Sequence, residues 1–364
     1  MLNENKRISD FTGVAKFHEA GYFGSRVFAA TGEAQYIGKA EAHGYKYIRP
    51  ITWYSTGDDW HGTETAFIFW EVAPQATLVT IPDAKCKING IDYDFNIDGL
   101  ALADKYGITL MYLSMLNNTD CSIRDTALDK HPNFFYITGT GNNEPVGSFN
   151  QLTLCKNIYG VGAYYLADDG TITIPDYDSD AVDNADFAAP ARVYYDIFGT
   201  PSPFDGVSCS DPYLVGMCAL VQDFFIDKTG KPLTREMMYQ FLKDNSFDCC
   251  TVGKDTKTGW GYVVLPDPTT IDIVKYQPSY QPNVPKPTYT VQMGAFSQYQ
   301  NCVSLKIKIN ALPDTIGAGY SKAFIKQVDN VFKLQVGIFS IKANAQKVVD
   351  DLKAKGYSAF ITTR

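Results

Sequence analysis

The sequence predicts an α/β protein in two parts: a large unit built on a parallel sheet flanked by helices, and a small α+β unit made of two strand–helix–strand copies. Short apolar runs alternate with helix-patterned stretches through residues 1–265, prolines crowd the stretch from Pro266 to Pro287, and a nine-residue string occurs twice beyond them. Alternation of the first kind is the mark of strands that pack helices on both faces.

The expected strands of the large unit are Val27–Ala30, Thr77–Ile81, Thr109–Ser114, Phe134–Thr138 and Ile158–Ala163. Each is short, apolar and bounded by Gly, Pro, Asn or Asp, as strands buried on both faces are. Leu214–Phe225 is apolar but too long for a strand, and reads as a buried helix. Pro266, Pro268, Pro278, Pro282, Pro285 and Pro287 stiffen the chain and remove backbone donors, so 266–287 is expected to be an extended linker. In the small unit, 288–364, Tyr289–Ser297 recurs as Phe332–Ser340. The second copy is followed by a helical stretch from Ala343 to Lys355 and a strand over Tyr357–Thr362. Two such copies make one four-stranded sheet with two helices, in the order βαββαβ.

Composition narrows the function. A net charge of −8 excludes the clustered basic surface that nucleic acid requires. No run of eighteen apolar residues is present, so no membrane span is expected. The first residues lack the apolar stretch of a signal peptide, which implies cytoplasmic synthesis. The eight cysteines show no paired metal-ligand spacing, so no metal site is expected, and free thiols fit a reducing compartment. No cofactor is implied, and calcium sites are not legible.

Several strings carry chemistry. His61-Gly62-Thr63-Glu64-Thr65-Ala66 is followed by Ala73-Pro74-Gln75-Ala76-Thr77-Leu78, and Gly206-Val207-Ser208-Cys209-Ser210-Asp211-Pro212 opens the long apolar helix. A serine at a helix start exposes its hydroxyl with the helix dipole behind it. A histidine alone is most often a surface or core residue, and a serine in a Gly-rich turn is common. The strings together resemble the histidine and serine motifs of the subtilase family, HGTxxA…APxAxL and GTSxAxPxVAG. Val207 and Ser210 depart from that pattern, and Asp211 adds a carboxylate. The resemblance extends to Thr140-Gly141-Asn142, whose Asn142 matches the oxyanion donor. It also covers Ser114-Met115-Leu116, matching the segment that pairs with substrate backbone.

The family's acid stands in a V-x-x-D-T-G string. Here the string is Val27-Phe28-Ala29-Ala30-Thr31-Gly32, with 31 residues from Ala30 to His61. Ala30 therefore takes the aspartate's place. Asp58 and Asp59 precede His61 on its approach loop, where carboxylates are common, and are not expected to substitute. The resemblance implies a subtilisin-type serine endopeptidase that is inactive or nearly so as written, its acid either lost by nature or changed to alanine. A non-catalytic pseudoprotease acting in binding or regulation is the alternative.

In the small unit the Q-x-G-x-F string occurs at 292–296 and 335–339. Strand alternation sends Val291, Met293 and Ala295, and Leu334, Val336 and Ile338, toward the helices. Gln292, Phe296, Gln335 and Phe339 are expected on the other face, an aromatic-plus-amide surface suited to sugar. The unit resembles the SPOR family, which binds peptidoglycan glycan strands stripped of stem peptides. The implied partners are a polypeptide substrate and those glycan strands, and the implied place of action is the bacterial cell wall, or a spore or phage-lysis setting.

Overall fold

The computed structural model describes the chain apart from residues 1, 34–36, 52–59, 89, 116, 118, 143–149, 176–183, 278–288, 314–322, 329–330, 340–341 and 364. The strands are β1 Phe28–Thr31, β2 Lys46–Ile48, β3 Thr77–Thr80, β4 Lys85–Ile88, β5 Ile91–Asp94, β6 Leu110–Leu113, β7 Phe135–Gly139, β8 Ile158–Leu166, β9 Ile172–Thr173, β10 Ala185–Pro190, β11 Arg192–Tyr195, β12 Ser202–Asp205, β13 Ser246–Phe247, β14 Tyr262–Val263, β15 Tyr289–Phe296, β16 Phe324–Val328, β17 Val331–Phe339 and β18 Phe360–Thr363. The helices are α1 Lys6–Thr12, α2 Val14–Glu19, α3 Ile37–Ala42, α4 Trp60–Val72, α5 Leu100–Tyr106, α6 Cys121–Leu128, α7 Val207–Thr229, α8 Arg235–Asp244, α9 Tyr299–Asn310 and α10 Lys342–Ala354.

The chain divides into two compact units, 1–280 and 281–364. In the first, the main sheet runs β13-β14-β10-β8-β7-β6-β1-β3-β2. Every pairing along this path from β14 to β2 is parallel; the edge strand β13, and β9 off the path beside β8, run antiparallel. The five apolar runs expected to be strands are five neighbours in this sheet, β8-β7-β6-β1-β3. Successive residues serve opposite faces. Ala29 packs with Leu78 and Leu110 under α4 and α7, while Ala30 packs with Val79 and Met111 on the other face.

α7 takes in the serine string from Val207 as well as the apolar stretch Leu214–Phe225, and runs on to Thr229. It approaches α4 closely at Gly216, where a Cβ would lie 2.7 Å from that of Val72. Buried Asp223 of α7 accepts the backbone N–H groups of Phe23, Gly24, Ser25 and Arg26, and pairs with the Arg26 guanidinium at 2.8 Å. That clamp fixes the loop that leads into β1.

Two expectations are corrected here. The linker does not begin at Pro266: residues 266–277 pack on the large unit, with Ile271 and Ile273 against its core and Tyr276 edge-on to Phe225 and Phe241. The apolar residues between the prolines override the extended preference. Nor are all thiols free, since Cys121 and Cys155 form a disulfide. Cys121 opens α6 and Cys155 ends the turn before β8, and only the fold brings them together; the other six cysteines are free.

The second unit is a four-stranded antiparallel sheet in the order β16-β17-β15-β18. Cys302 and Ile309 of α9 and Val348, Val349 and Leu352 of α10 share one core with Val291, Leu334 and Val336, so both helices cover the same face.

Candidate active site

The parallel strands β1, β3 and β6 end on the same side, and crevices beyond the carboxyl ends of such strands are where α/β folds bind ligands. The β1–β6 register, Thr31 beside Tyr112, brings the residues after each strand together. After β1 the chain turns at Gly32, where a Cβ would lie 2.6 Å from the Leu113 side chain, and the next backbone N–H, that of Glu33, bonds Thr31 Oγ1 at 3.3 Å. The Glu33 side chain is fully buried. Its Oε2 lies 2.6 Å from His61 Nδ1, and its Oε1 accepts the Ser114 N–H at 3.0 Å.

The acid beside the histidine is therefore Glu33, three residues beyond the position the motif marks. Ala30 is fully buried in the apolar cluster of Val79 and Met111, and the expectation that His61 lacks a carboxylate is corrected. The turn at Gly32 carries the chain past the strand end, so that the Glu33 carboxylate, and not residue 30, meets His61. Asp58 and Asp59 lie outside the described residues.

His61 sits in the first turn of α4, with the Phe204 ring edge-on at 5.7 Å. Ser208 lies in the first turn of α7 after Gly206, which adopts φ +103. A Cβ at Gly206 would come 3.0 Å from Asn142 Oδ1, so glycine is required there. Asn142 Oδ1 accepts the Val207 N–H at 2.8 Å, which orients its amide beside the residue preceding Ser208. The Ser208 hydroxyl donates to Ser114 O at 3.3 Å, and its hydrogen bonds among the described residues do not include one to His61.

Ser114 is buried, Met115 is exposed, and Leu116 lies outside the described residues. Buried Asn150 ties this segment to β7, donating to Thr138 Oγ1 and Gly139 O and reaching Met115 O at 3.4 Å. Asp211, in the next turn of α7, is fully buried 2.5 Å from Ser114 Oγ; burial pushes its carboxyl well above the ordinary range. Glu33 was missed because the family string ends before it. The only signal was a carboxylate just past a Thr-Gly turn. Among the described residues no cluster of side chains suits a metal ion.

In the small unit Gln292 stands opposite Gln335, in a row with Phe360 and Phe324. The two amides are on the face away from the helices, yet only 8% and 4% exposed. The two phenylalanines of the motif do not share that face. Each Q-x-G-x-F string carries one extra residue against its partner strand, a β-bulge, which turns the later side chains of the string to the other side. Phe296 faces Phe332, whose ring meets Tyr299 of α9, and Phe339 faces Tyr289. All four are half-buried against the helix-side core. Each motif ring folds over its own glycine, 2.8 Å from a Cβ at Gly294 and 2.3 Å from one at Gly337. The Ile338 side chain lies outside the described residues.

A wide parallel sheet, with a histidine and a serine at the starts of two packed helices and a carboxylate on the histidine, defines the large unit as subtilisin-like. Solved structures similar to it include a lanthipeptide protease (16% identity, TM-score 0.54, 70% of this chain and 90% of that one). The PatG macrocyclase domain matches at 15% identity and TM-score 0.55, over 72% of this chain and 96% of that one. Fervidolysin from Fervidobacterium pennivorans, a keratinolytic enzyme related to subtilisin, matches at 18% identity and TM-score 0.54, over 80% of this chain and 51% of that one. Residues 285–363 match the family model of the SPOR domain. No curated protein sequence matches the chain. The molecule thus joins a subtilisin-like fold to a SPOR domain, and no helix among the described residues is long and apolar enough to cross a membrane.

Proposed function

We propose that the chain is a serine endopeptidase whose triad is Glu33, His61 and Ser208, held at peptidoglycan by its SPOR domain. The 2.6 Å contact between Glu33 Oε2 and His61 Nδ1 carries this reading. A carboxylate there fixes the imidazole with Nδ1 protonated, leaves Nε2 to take the serine proton, and stabilises the resulting imidazolium. Ser208 Oγ then attacks the scissile carbonyl, and His61 returns the proton to the leaving amine. The Asn142 amide is the side-chain donor for the oxyanion. The backbone of 114–116 pairs with substrate as an added strand. In the SPOR domain the Gln292–Gln335 row, flanked by Phe324 and Phe360, is the face for glycan.

The bond from Ser208 Oγ to Ser114 O favours a second reading, a non-catalytic scaffold whose serine is never activated. A fluorophosphonate probe separates the two. Covalent labelling that disappears in Ser208→Ala and falls steeply in Glu33→Gln supports the peptidase. A folded protein that takes no label and cleaves no peptide library is the scaffold.

A further inference from the structure

Ser114 uses every polar atom it has. Its N–H donates to Glu33, its carbonyl accepts from Ser208 Oγ, and its own Oγ lies 2.5 Å from Asp211 Oδ1 and 3.4 Å from Ser208 O. The last two contacts compete for one hydrogen, because a hydroxyl has a single donor. The Ser208 carbonyl has lost its helical partner: four residues on stands Pro212, which has no N–H. The Ser114 hydroxyl, at 3.4 Å, stands where it can donate in its place. With its one hydrogen on Ser208 O, Ser114 Oγ can only accept in the 2.5 Å contact, and the hydrogen there is the acid's.

The surroundings agree. Asp211 is fully buried, its Oδ2 has no partner, and it forms no ion pair among the described residues. The titratable groups around it are Glu33 after β1, Tyr112 of β6 and Cys209 on its own helix, while β7 contributes the Gly139 N–H. None of these is a cation; the Gly139 N–H favours the charged form, but burial, the largest influence, and the Glu33 charge oppose it. Glu33, the nearby acid, is engaged by His61 and by the Ser114 N–H, so a second negative charge at Asp211 would face it without a cation of its own.

We propose that Asp211 is a neutral carboxylic acid and a positioning residue: it donates to Ser114 Oγ, which turns the Ser114 hydroxyl onto Ser208 O and ties the nucleophile's helix turn to the strand end that holds Glu33. The positioning role rests on the triad proposed above; the protonation state does not.

Infrared difference spectroscopy between the wild-type chain and Asp211→Asn at neutral pH tests the protonation directly. The expected result is a protonated-carboxyl band, lost in the variant and persisting well above the ordinary carboxylate range. Ser114→Ala, which removes the acceptor, should move the same band to higher frequency. A difference spectrum showing only ionised carboxylate overturns the proposal whether or not the protein cleaves peptides. On the peptidase, Asp211→Asn supplies an N–H in the acid's place and should keep at least about tenfold more kcat than Asp211→Leu, the scale of one hydrogen bond at 1.4 kcal/mol per tenfold. It should also lose any alkaline limb that Asp211 contributes. Equal kcat values for the two variants, with the band present, overturn the positioning role alone. Absence of turnover in every variant counts against the triad and leaves the infrared result standing.

Discussion

Two buried polar clusters lie beyond the carboxyl ends of neighbouring strands, and they are built on opposite principles. After β3, Asp83 is matched on every side: Arg124 Nη2 at 2.5 Å and Nη1 at 3.1 Å, the Tyr136 hydroxyl, and the Asn117 amide. Arg124, itself 3% exposed, also donates to Asn96 and covers the Phe95 ring. After β1 and β6, Glu33 and Asp211 converge on one serine, and Asp211 has no arginine or lysine paired to it among the described residues. A closed, charge-matched cluster holds a fold together. A cluster in which two carboxyls share one serine has charge and protons available for chemistry.

The largest test of that contrast is Glu33→Gln. It removes the charge but preserves shape, and should lower kcat by about 10⁴, the scale for loss of a triad acid in serine proteases of known mechanism. The thermal midpoint should change little. A kcat within tenfold of wild type would show that Glu33 does not serve His61.

Arg124→Met should do the reverse. Leaving Asp83 buried without its cation costs about 3–5 kcal/mol, read as a lower denaturant midpoint, with kcat of the folded fraction preserved. Ala30→Asp belongs with it: the side chain would enter the Val79–Met111 cluster, so chemical denaturation should show a loss of about 2 kcal/mol or more and no gain in turnover. Higher activity in that variant would restore position 30 as the site of the missing acid.

Asn142→Ala should cost about 10²–10³ in kcat with KM little altered, the effect of losing one oxyanion donor. A change in KM alone would place Asn142 in substrate binding rather than in catalysis.

Asp211 also gives the fold a pH dependence. Its folded-state value is raised above the ordinary 3.8, so its contribution to stability is complete below that pH and is lost as pH rises through the folded value. Stability measured from pH 4 upward should fall less steeply in Asp211→Asn than in the wild type.

The smallest expected change in stability is in the SPOR domain. Gln335 Oε1 has no partner, so Gln335→Leu should alter stability by about 1 kcal/mol or less. Its co-sedimentation with amidase-stripped peptidoglycan should fall roughly tenfold, about 1.4 kcal/mol. Unchanged sedimentation would remove the glutamine row from the glycan face.

Sequence by itself determined what depends on short-range pattern. The apolar runs that became β1, β3, β6, β7 and β8 are buried on both faces, and burial of that kind leaves a continuous hydrophobic signature. His61 and Ser208 were legible because each sits at a helix start within a distinctive string, and the doubled Q-x-G-x-F exposed the small unit's symmetry. Tertiary structure decided which carboxylate reaches His61. That depends on the β1–β6 register and the turn at Gly32, which bring Glu33 to the histidine while position 30 stays in the Val79–Met111 cluster. It also decided the disulfide, the packing of residues 266–277, and the side of the sheet taken by Phe296 and Phe339. A single bulge reverses every side chain beyond it, and strict alternation along a strand has no means of showing one.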